Sequence, residues 1–296
     1  MPRRALVLGG GGPVGIAWES GLLSGLAEAG VDAAQAELIV GTSAGSVVGA
    51  HLTLGRPAAK LADAFLSDQQ PASASELLTG PPPDLSPLVI KLQDLYSGRR
   101  PAELVRREIG AWALQAKTMS EEEFVASFGR TLQNASNGAW PERGYVCTAV
   151  DTADGSLMAW NKDSGVELVR AVASSCSVPG IFPPVTLCAH RYMDGGMRSA
   201  TNADLAKGYD IVVVVAVRPR ISIPALAEVF RRPLENELQV LRDGGASVEL
   251  ITPDEPSMDA FGENLMDYRR RPASARAGVN QGRTEANKIR AVWGGA

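Results

Sequence analysis

Ser43 lies at the centre of a Gly-x-Ser-x-Gly pentapeptide formed by residues 41–45. Apolar residues occupy positions 38–40 before it, and small residues follow it from position 44 to position 50. A strand that ends at a serine, followed by a helix of small residues, is typical of a nucleophile elbow. Glycine is expected on both sides of the serine because such a turn is tight and strained. The pentapeptide also occurs in ordinary Gly/Ser-rich loops, so the predicted strand and helix around it are what favour a nucleophile.

A run of four glycines, residues 9–12, follows a short strand predicted for residues 4–8. A helix is predicted to begin soon after the glycines, near residue 16, and to end near residue 29. The backbone N–H groups of such a loop are unobstructed, and the helix adds the positive end of its dipole. The loop is therefore predicted to bind a negatively charged group.

Two negatively charged groups fit this loop. One is the oxyanion of an acyl-transfer intermediate. The other is the phosphate of a dinucleotide, because residues 10–15 also satisfy the pattern G-x-G-x-x-G. A dinucleotide site additionally needs an acidic residue at the end of the second strand to hold the ribose. Here the second strand, residues 38–40, ends in Gly41-Thr42-Ser43, which favours the oxyanion and leaves dinucleotide binding as the alternative.

A serine hydroxyl becomes an effective nucleophile only when a nearby base takes its proton. The chain has two histidines, His51 and His190. His51 follows the serine by about 12 Å along the predicted helix and is expected to be a surface or packing residue. His190 is assigned to the turn of a predicted hairpin about residues 189–190. Asp194, on a predicted loop after that hairpin, is the better candidate if burial raises its ordinary pKa of about 3.9.

These motifs together resemble the patatin-like phospholipases, a family of acyl hydrolases that use a Ser–Asp dyad. Four blocks of the chain match the family in order and in approximate spacing, and the match covers most of residues 4–217. The blocks are the glycine loop (9–15), the elbow (41–45), a proline-containing block (173–185) and an Asp-Gly-Gly block (194–196). Each block alone is a weak signal, whereas four in order are specific.

The resemblance implies a role for each matching residue. Ser43 is the expected nucleophile and Asp194 the expected base. The backbone N–H groups of Gly10, Gly11 and Gly12 are the expected oxyanion hole, with the N–H of the residue after the serine as a further candidate. No metal and no cofactor are expected. The implied substrate is a lipid or another carboxylic ester, and a small-ester esterase or thioesterase with the same dyad is the alternative.

The chain departs from the family pattern at two places. A further glycine and Pro13-Val14 stand where many members carry a basic residue in the oxyanion loop. Residues 197–202 lack the Asn-x-Pro that often follows the Asp-Gly-Gly block. These differences concern the choice of substrate more than the reaction. In the proline-containing block, Ser174, Ser175 and Cys176 are expected to shape the site and not to react.

The composition is that of an ordinary globular protein, with 296 residues, 45% hydrophobic residues and a net charge of −4. The charge and the lack of a sustained basic stretch give no argument for nucleic-acid binding. No signal peptide or membrane span is predicted, because the longest apolar run, residues 211–217, has the length of a buried strand. Three cysteines without metal or redox spacing suit reduced thiols. We therefore expect a cytoplasmic protein, with transient contact to a membrane surface as a candidate interaction.

The order of elements predicts a single three-layer α/β/α domain over residues 4–296, with a mainly parallel central sheet. A helical insertion is predicted at about residues 55–144, with Pro71 among its helix breaks and a capping box at residues 120–123. The insertion is expected either to cover an acyl-binding groove or only to pack on the sheet. The predicted strands beyond it are residues 145–150, 157–160, 185–187, 191–193, 211–217 and 247–251, and helices are predicted for residues 102–117, 166–173 and 199–207.

Overall fold

The computed structural model describes residues 2–66, 81–136, 139–218 and 224–294. In these ranges the strands are β1 (Arg4–Leu8), β2 (Leu38–Thr42), β3 (Gly144–Asp151), β4 (Leu157–Trp160), β5 (Val185–Leu187), β6 (His190–Asp194), β7 (Ile211–Val215) and β8 (Ser247–Ile251). The α-helices are α1 (Gly12–Glu28), α2 (Ala44–Thr53), α3 (Asp63–Leu66), α4 (Ser86–Tyr96), α5 (Ala102–Gln115), α6 (Glu121–Ser136), α7 (Leu168–Ser175), α8 (Pro224–Asp243), α9 (Glu255–Phe261) and α10 (Arg271–Trp293).

The strands form one mixed sheet in the order β5-β6-β3-β2-β1-β7-β8, with β4 paired to β3. Adjacent strands in the series β3-β2-β1-β7-β8 are parallel, whereas β4 and β6 run antiparallel to β3. Successive side chains of β1 point to opposite faces. Leu6 and Leu8 pack in one core with α1, while Ala5 and Val7 pack in a second core with α8. Helices therefore cover both faces of a mostly parallel sheet, which confirms the predicted α/β/α class.

Strand β3 brings two distant segments of the chain side by side. Strand β4 occupies one edge of β3 from Cys147 to Val150. On the opposite edge, β2 pairs with β3 until Thr42 meets Thr148, and β6 takes over where Asp194 meets Ala149. The last residues of β2 and β6 are thus opposite consecutive residues of β3. The register of this one strand places the residue after Thr42 next to Asp194.

Several predicted boundaries differ from the observed ones. Helix α1 begins at Gly12 and not near residue 16, because Pro13 fits the first turn of a helix, where its missing N–H is not needed. The predicted helix at residues 199–207 is reduced to a short 3-10 turn at Ala203–Ala206. Strand β7 ends at Val215, two residues before the predicted end.

The hairpin that carries the candidate base also differs from its prediction. Its turn consists of Cys188 and Ala189, both with positive φ (49° and 64°), as a two-residue hairpin turn requires. His190 is therefore not a turn residue but begins β6, where it pairs with Leu187. Asp194 is the last residue of that strand and not part of a loop, so its backbone is fixed by the sheet.

The described part of the predicted insertion contains α4, α5 and α6, which lie between α2 and β3 in the chain. The capping box forms as predicted, since the Ser120 hydroxyl and the Glu123 carboxylate each bond the other's backbone N–H, at 3.2 Å and 3.1 Å. Pro71, one of the predicted helix breaks, falls in residues 67–80, outside the described residues. Among the helices of the described ranges, none combines the length and apolar composition that crossing a bilayer requires.

Helices α1 and α10 approach each other closely through glycines. A Cβ atom added at Gly25 of α1 would lie 2.1 Å from the Val279 carbonyl oxygen of α10. A Cβ atom added at Gly278 of α10 would lie 2.3 Å from the Trp18 carbonyl oxygen of α1. No real Cβ atom tolerates such distances, so only glycine permits this packing. The contact fixes α1 and hence the glycine loop at its amino end.

We expect Gly25→Ala to destabilise the protein by about 1–3 kcal/mol, the usual cost of overpacking, even though alanine is the better helix former. Chemical denaturation monitored by circular dichroism measures this difference. Asn280→Ala, on the exposed face of α10, is the matched control and should leave the stability equal or slightly higher. A Gly25→Ala variant as stable as the wild type would contradict the close packing of the two helices.

Candidate active site

Ser43 lies in a strained turn between β2 and α2. Its backbone angles, φ 51° and ψ −114°, fall in a region that non-glycine residues avoid. The flanking glycines are required by close contacts: a Cβ atom at Gly41 would lie 2.5 Å from Ser46 Cα, and one at Gly45 would lie 2.1 Å from the Leu8 carbonyl oxygen. The pentapeptide therefore forms the predicted elbow, with the strain offset by the surrounding structure.

The peptide groups of Ser43 are held by side chains from two other segments. The Ser43 N–H donates to Ser175 Oγ at 2.9 Å. The Ser43 carbonyl oxygen accepts from Ser46 Oγ at 2.6 Å and from Cys176 Sγ at 3.2 Å. Burial raises the pKa of the Cys176 thiol well above its ordinary value, so the thiol stays protonated and donates. Ser175 and Cys176 thus shape the elbow, the role the sequence predicts for them.

Asp194 is buried, with 3% of its surface exposed. Its Oδ1 accepts a hydrogen bond of 2.7 Å from the N–H of Gly196, and its Oδ2 has no hydrogen-bond partner in the described part of the chain. Burial raises the pKa of this carboxyl to about 7, and the Ser43 hydroxyl and the Gly196 N–H partly oppose the shift. The hydroxyl is thus close to the carboxylate although it falls short of standard hydrogen-bond geometry, as is common in unliganded sites.

Both histidines are engaged away from this pair. His190 Nδ1 lies 2.8 Å from Asp151 Oδ2, and the imidazole is 58% exposed. His51 lies further along α2, where burial, followed by the charge of Arg56, lowers its pKa to about 4. Within the described ranges no hydrogen bond joins either histidine to Ser43. The carboxylate is the basic group that the fold places beside the serine.

The glycine loop lies beside the elbow, but its donors are not all available. A Cβ atom at Gly10 would lie 3.3 Å from Ser43 Cβ. The Gly10 N–H donates to the Ala200 carbonyl oxygen at 2.7 Å, so the predicted role of this N–H in an oxyanion hole does not fit the structure. For the N–H groups of Gly11, Gly12 and Ala44, no hydrogen-bond partner appears among the described residues. These three donors remain for an anion in front of the serine.

A buried polar network behind the site was not predicted from the sequence. Asn202 adopts a left-handed conformation, with φ 50° and ψ 38°. Its side-chain amide donates to Thr42 Oγ1 at 3.0 Å and to the Ser199 carbonyl oxygen at 2.8 Å, and it approaches Thr148 Oγ1 and the Gly195 carbonyl oxygen, each at 3.3 Å. The network joins the end of β2, the middle of β3 and the residue after β6. A single polar side chain in a loop carries no periodic signal, so only the fold reveals it.

Ser43 lines a mainly apolar cavity of about 490 Å³. The walls come from the start of α1, the elbow, the proline-containing block, the α9–α10 connection and the insertion. The lining residues are Gly12, Pro13, Ile16, Ser43, Ala44, Met119, Glu123, Phe124, Ala126, Ser127, Phe128, Cys176, Val178, Phe182, Met266 and Tyr268. Phe124 of α6 stacks on Phe182, with ring centroids 4.7 Å apart. The insertion thus forms one wall of the cavity through α6 and through Met119, two residues before that helix.

Comparisons with known proteins found solved structures and a family model that are similar to this chain. Among solved structures, the chain is similar to VipD from Legionella pneumophila, with 13% identity and a TM-score of 0.47 over 97% of this chain and 67% of that one. It is similar to the type III effector protein ExoU, with 20% identity and a TM-score of 0.40 over 96% of this chain and 53% of that one. It is also similar to a complex of full-length SpcU with full-length ExoU from the type III secretion system of Pseudomonas aeruginosa. Here the identity is 17% and the TM-score 0.40, over 95% of this chain and 53% of that one.

The chain thus spans about half the length of ExoU. No relative was found among the curated proteins. A family model described as patatin-like phospholipase matches residues 6–207, which is more than half of the chain. The chain therefore belongs to the patatin-like phospholipase family, a family of hydrolases that act on lipid esters.

Proposed function

We propose that this protein is a serine acyl hydrolase that cleaves carboxylic ester bonds of lipids through an acyl-enzyme on Ser43, with Asp194 as the base. The observation that carries the proposal is the pairing of the strained serine with a buried carboxyl that has an oxygen without a hydrogen-bond partner in the described chain. A pKa of about 7 makes this carboxyl a far better base near neutral pH than an ordinary aspartate.

The reaction follows from these positions. Ser43 Oγ attacks the ester carbonyl carbon while Asp194 accepts its proton. The N–H groups of Gly11, Gly12 and Ala44 stabilise the oxyanion that develops on the carbonyl oxygen, and each such donor typically contributes a factor of about 10²–10³ to the rate. When the tetrahedral intermediate collapses, Asp194 returns the proton to the leaving alcohol. Water then attacks the acyl-enzyme with the same carboxylate as base and releases the carboxylic acid.

The apolar cavity supports a substrate with an acyl chain. Aromatic and aliphatic side chains dominate its walls, and a methylene group that leaves water for such a surface gains about 0.8 kcal/mol. Met119, part of the wall, is 39% exposed, so apolar surface continues outward from the cavity. Transient contact of this rim with a lipid surface is part of the proposal. A small-ester or thioester substrate would use the same dyad but would leave much of the cavity unfilled.

The glycine loop disfavours dinucleotide binding. The N–H groups of Gly10 and Val14 already donate to protein carbonyl oxygens, those of Ala200 and Leu265. A pyrophosphate would therefore find few of the donors that its fingerprint requires. Membership of the patatin-like family also favours the oxyanion.

Ser43→Ala and Asp194→Asn are each expected to lower ester hydrolysis by about 10⁴-fold or more, since members of such a catalytic unit act together. Activity on a panel of esters that vary in chain length and head group measures the loss and ranks the substrates. A fluorophosphonate probe should label Ser43 in the wild type, as peptide mass spectrometry can show.

His51→Ala and His190→Ala are the controls and should keep most of the activity. Complete loss in either of these folded variants would replace the dyad with a histidine-dependent triad. NAD(P) binding without labelling of Ser43 would instead favour the dinucleotide alternative.

The raised pKa of Asp194 predicts the pH dependence of the reaction. A base must be deprotonated, so kcat/KM for a neutral ester should fall as the pH drops through about 7. A pH–rate profile measures the midpoint. If the fall in kcat/KM at low pH, the acid limb of the profile, had its midpoint near pH 4, the predicted role of a carboxylate with a raised pKa would be contradicted.

The same raised pKa of Asp194 predicts that the fold becomes less stable over the pH range in which the activity rises. A folded-state pKa above the unfolded value gives stability that is complete at low pH and is lost as the pH rises through about 7. Asp194→Asn removes this ionisation and should raise the free energy of unfolding at pH 8 by up to about 4 kcal/mol, with little change near pH 4. Urea denaturation at both pH values measures the change, with Asp163→Asn at an exposed position as the control. A variant less stable than the wild type at pH 8 would contradict the prediction.

A further inference from the structure

The turn after the candidate base is held by a residue of the helical insertion. Tyr96 is the last residue of α4, and its hydroxyl donates to the Gly196 carbonyl oxygen at 3.0 Å. The N–H of the same Gly196 donates to Asp194 Oδ1 at 2.7 Å. The tyrosine thus bonds the same residue whose N–H donates to the carboxylate.

The turn at Gly195–Met197 touches the sheet on one side and is partly exposed on the other. A Cβ atom at Gly195 would lie 2.2 Å from Thr148 Oγ1, so the backbone here already touches β3. Gly196, by contrast, is partly exposed, and the contact that its own Cβ atom would make is with Asp194. The Tyr96 hydroxyl holds this outer side of the turn.

Packing reinforces the hydrogen bond. Met193 and Met197, on either side of the Asp-Gly-Gly block, are buried in a small apolar cluster with α4 and α5. Its other buried members are Leu88, Leu95, Val105, Ile109 and Val150. This cluster is separate from the two main cores of the sheet, and through it α4 and α5 contact both ends of the segment that carries the base.

Several ionisable groups face the carboxyl or the tyrosine. Asp194 is near the hydroxyl of Ser43 and the thiol of Cys176, as well as Tyr96 itself. Burial raises the pKa of the Tyr96 phenol, and the charge of nearby Glu237 raises it further. The charges of Arg106 and Arg198, also near Tyr96, oppose this increase. Arg198 is neutralised by a bidentate pair with Asp204, and Arg106 donates to the Gly155 carbonyl oxygen. The phenol therefore stays protonated and remains a donor throughout the pH range in which an ester hydrolase works.

We propose that Tyr96 is a positioning residue, through which the helical insertion holds the Gly196 N–H against Asp194 and so sets the orientation and basicity of the carboxylate. The inference rests on the proposed role of Asp194 as the base. The insertion then has two functions at once, because α6 forms a wall of the acyl cavity while α4 fixes the catalytic turn on the other side of the elbow.

Tyr96→Phe tests the proposal because it removes the hydroxyl and keeps the ring. We expect kcat to fall by roughly 3–10-fold, the loss typical of one hydrogen bond, with KM for the acyl substrate nearly unchanged. The apparent pKa of the acid limb should rise, since a less firmly held Gly196 N–H lowers the pKa of Asp194 less. The melting temperature, measured in parallel, should change little.

Two variants separate positioning from packing. Tyr209→Phe removes a hydroxyl just before β7, at the amino ends of the parallel strands and so at the opposite edge of the sheet from the site, and should behave as the wild type. Leu241→Ala weakens the second core of the sheet, outside this cluster, and should lower the melting temperature while leaving the acid limb in place. A Tyr96→Phe enzyme with wild-type kcat and pH profile overturns the proposal, as does one that only melts at a lower temperature.

The proposed function has its own, separate test. If Asp194→Asn is inactive and Tyr96→Phe resembles the wild type, the positioning role alone fails. If Asp194→Asn keeps full activity, the proposed base fails, and with it the reason for the positioning role.

Discussion

The candidate site depends on the register of β3. Thr148 pairs with Thr42 at the end of β2, and the next residue, Ala149, pairs with Asp194 at the end of β6. Backbone hydrogen bonds thus place the ends of two strands opposite consecutive residues of β3. The residues brought together, 43 and 194, are about 150 residues apart in the chain. A shift of one residue would turn every side chain of that strand to the other face. The serine and the carboxylate meet because a buried ladder fixes both backbones.

Around this ladder, the protein uses polar contacts to hold strained backbone and apolar contacts to remove water. Ser175, Ser46 and Cys176 fix the peptide groups of Ser43, and Asn202 joins the end of β2 to β3 and to the residue after β6. The carboxyl of Asp194, in contrast, is buried with few donors, which costs stability when it ionises but raises its basicity. Strain at the serine and a desolvated carboxylate are both features that proteins retain at functional sites.

The helical insertion contacts the site from two directions. Helix α6 contributes Phe124 and Phe128 to the cavity. In its first turn, Glu121 accepts from the Thr186 N–H of β5 at 2.8 Å and pairs with Arg170 of α7 at 3.1 Å. Helix α4 reaches the turn after Asp194 through Tyr96. Both contacts join the insertion to residues that surround Ser43, so it does more than cover the sheet.

The sequence alone determined the parts of the structure that depend on local chemistry. The glycines around Ser43, the glycine loop before α1, the capping box of α6 and the alternation of strands with helices are local signals, and each led to the element observed, although some boundaries differed. The order of four motifs was sufficient to indicate the family. The tertiary structure decided the features that depend on residues far apart in the chain. It showed that the Gly10 N–H donates to the Ala200 carbonyl oxygen, that Asp194 ends a strand, and that Asn202 and Tyr96 form hydrogen bonds with residues beside Ser43 and Asp194. These features follow from strand register and from helix packing across the sheet, and no local pattern of residue types encodes either one.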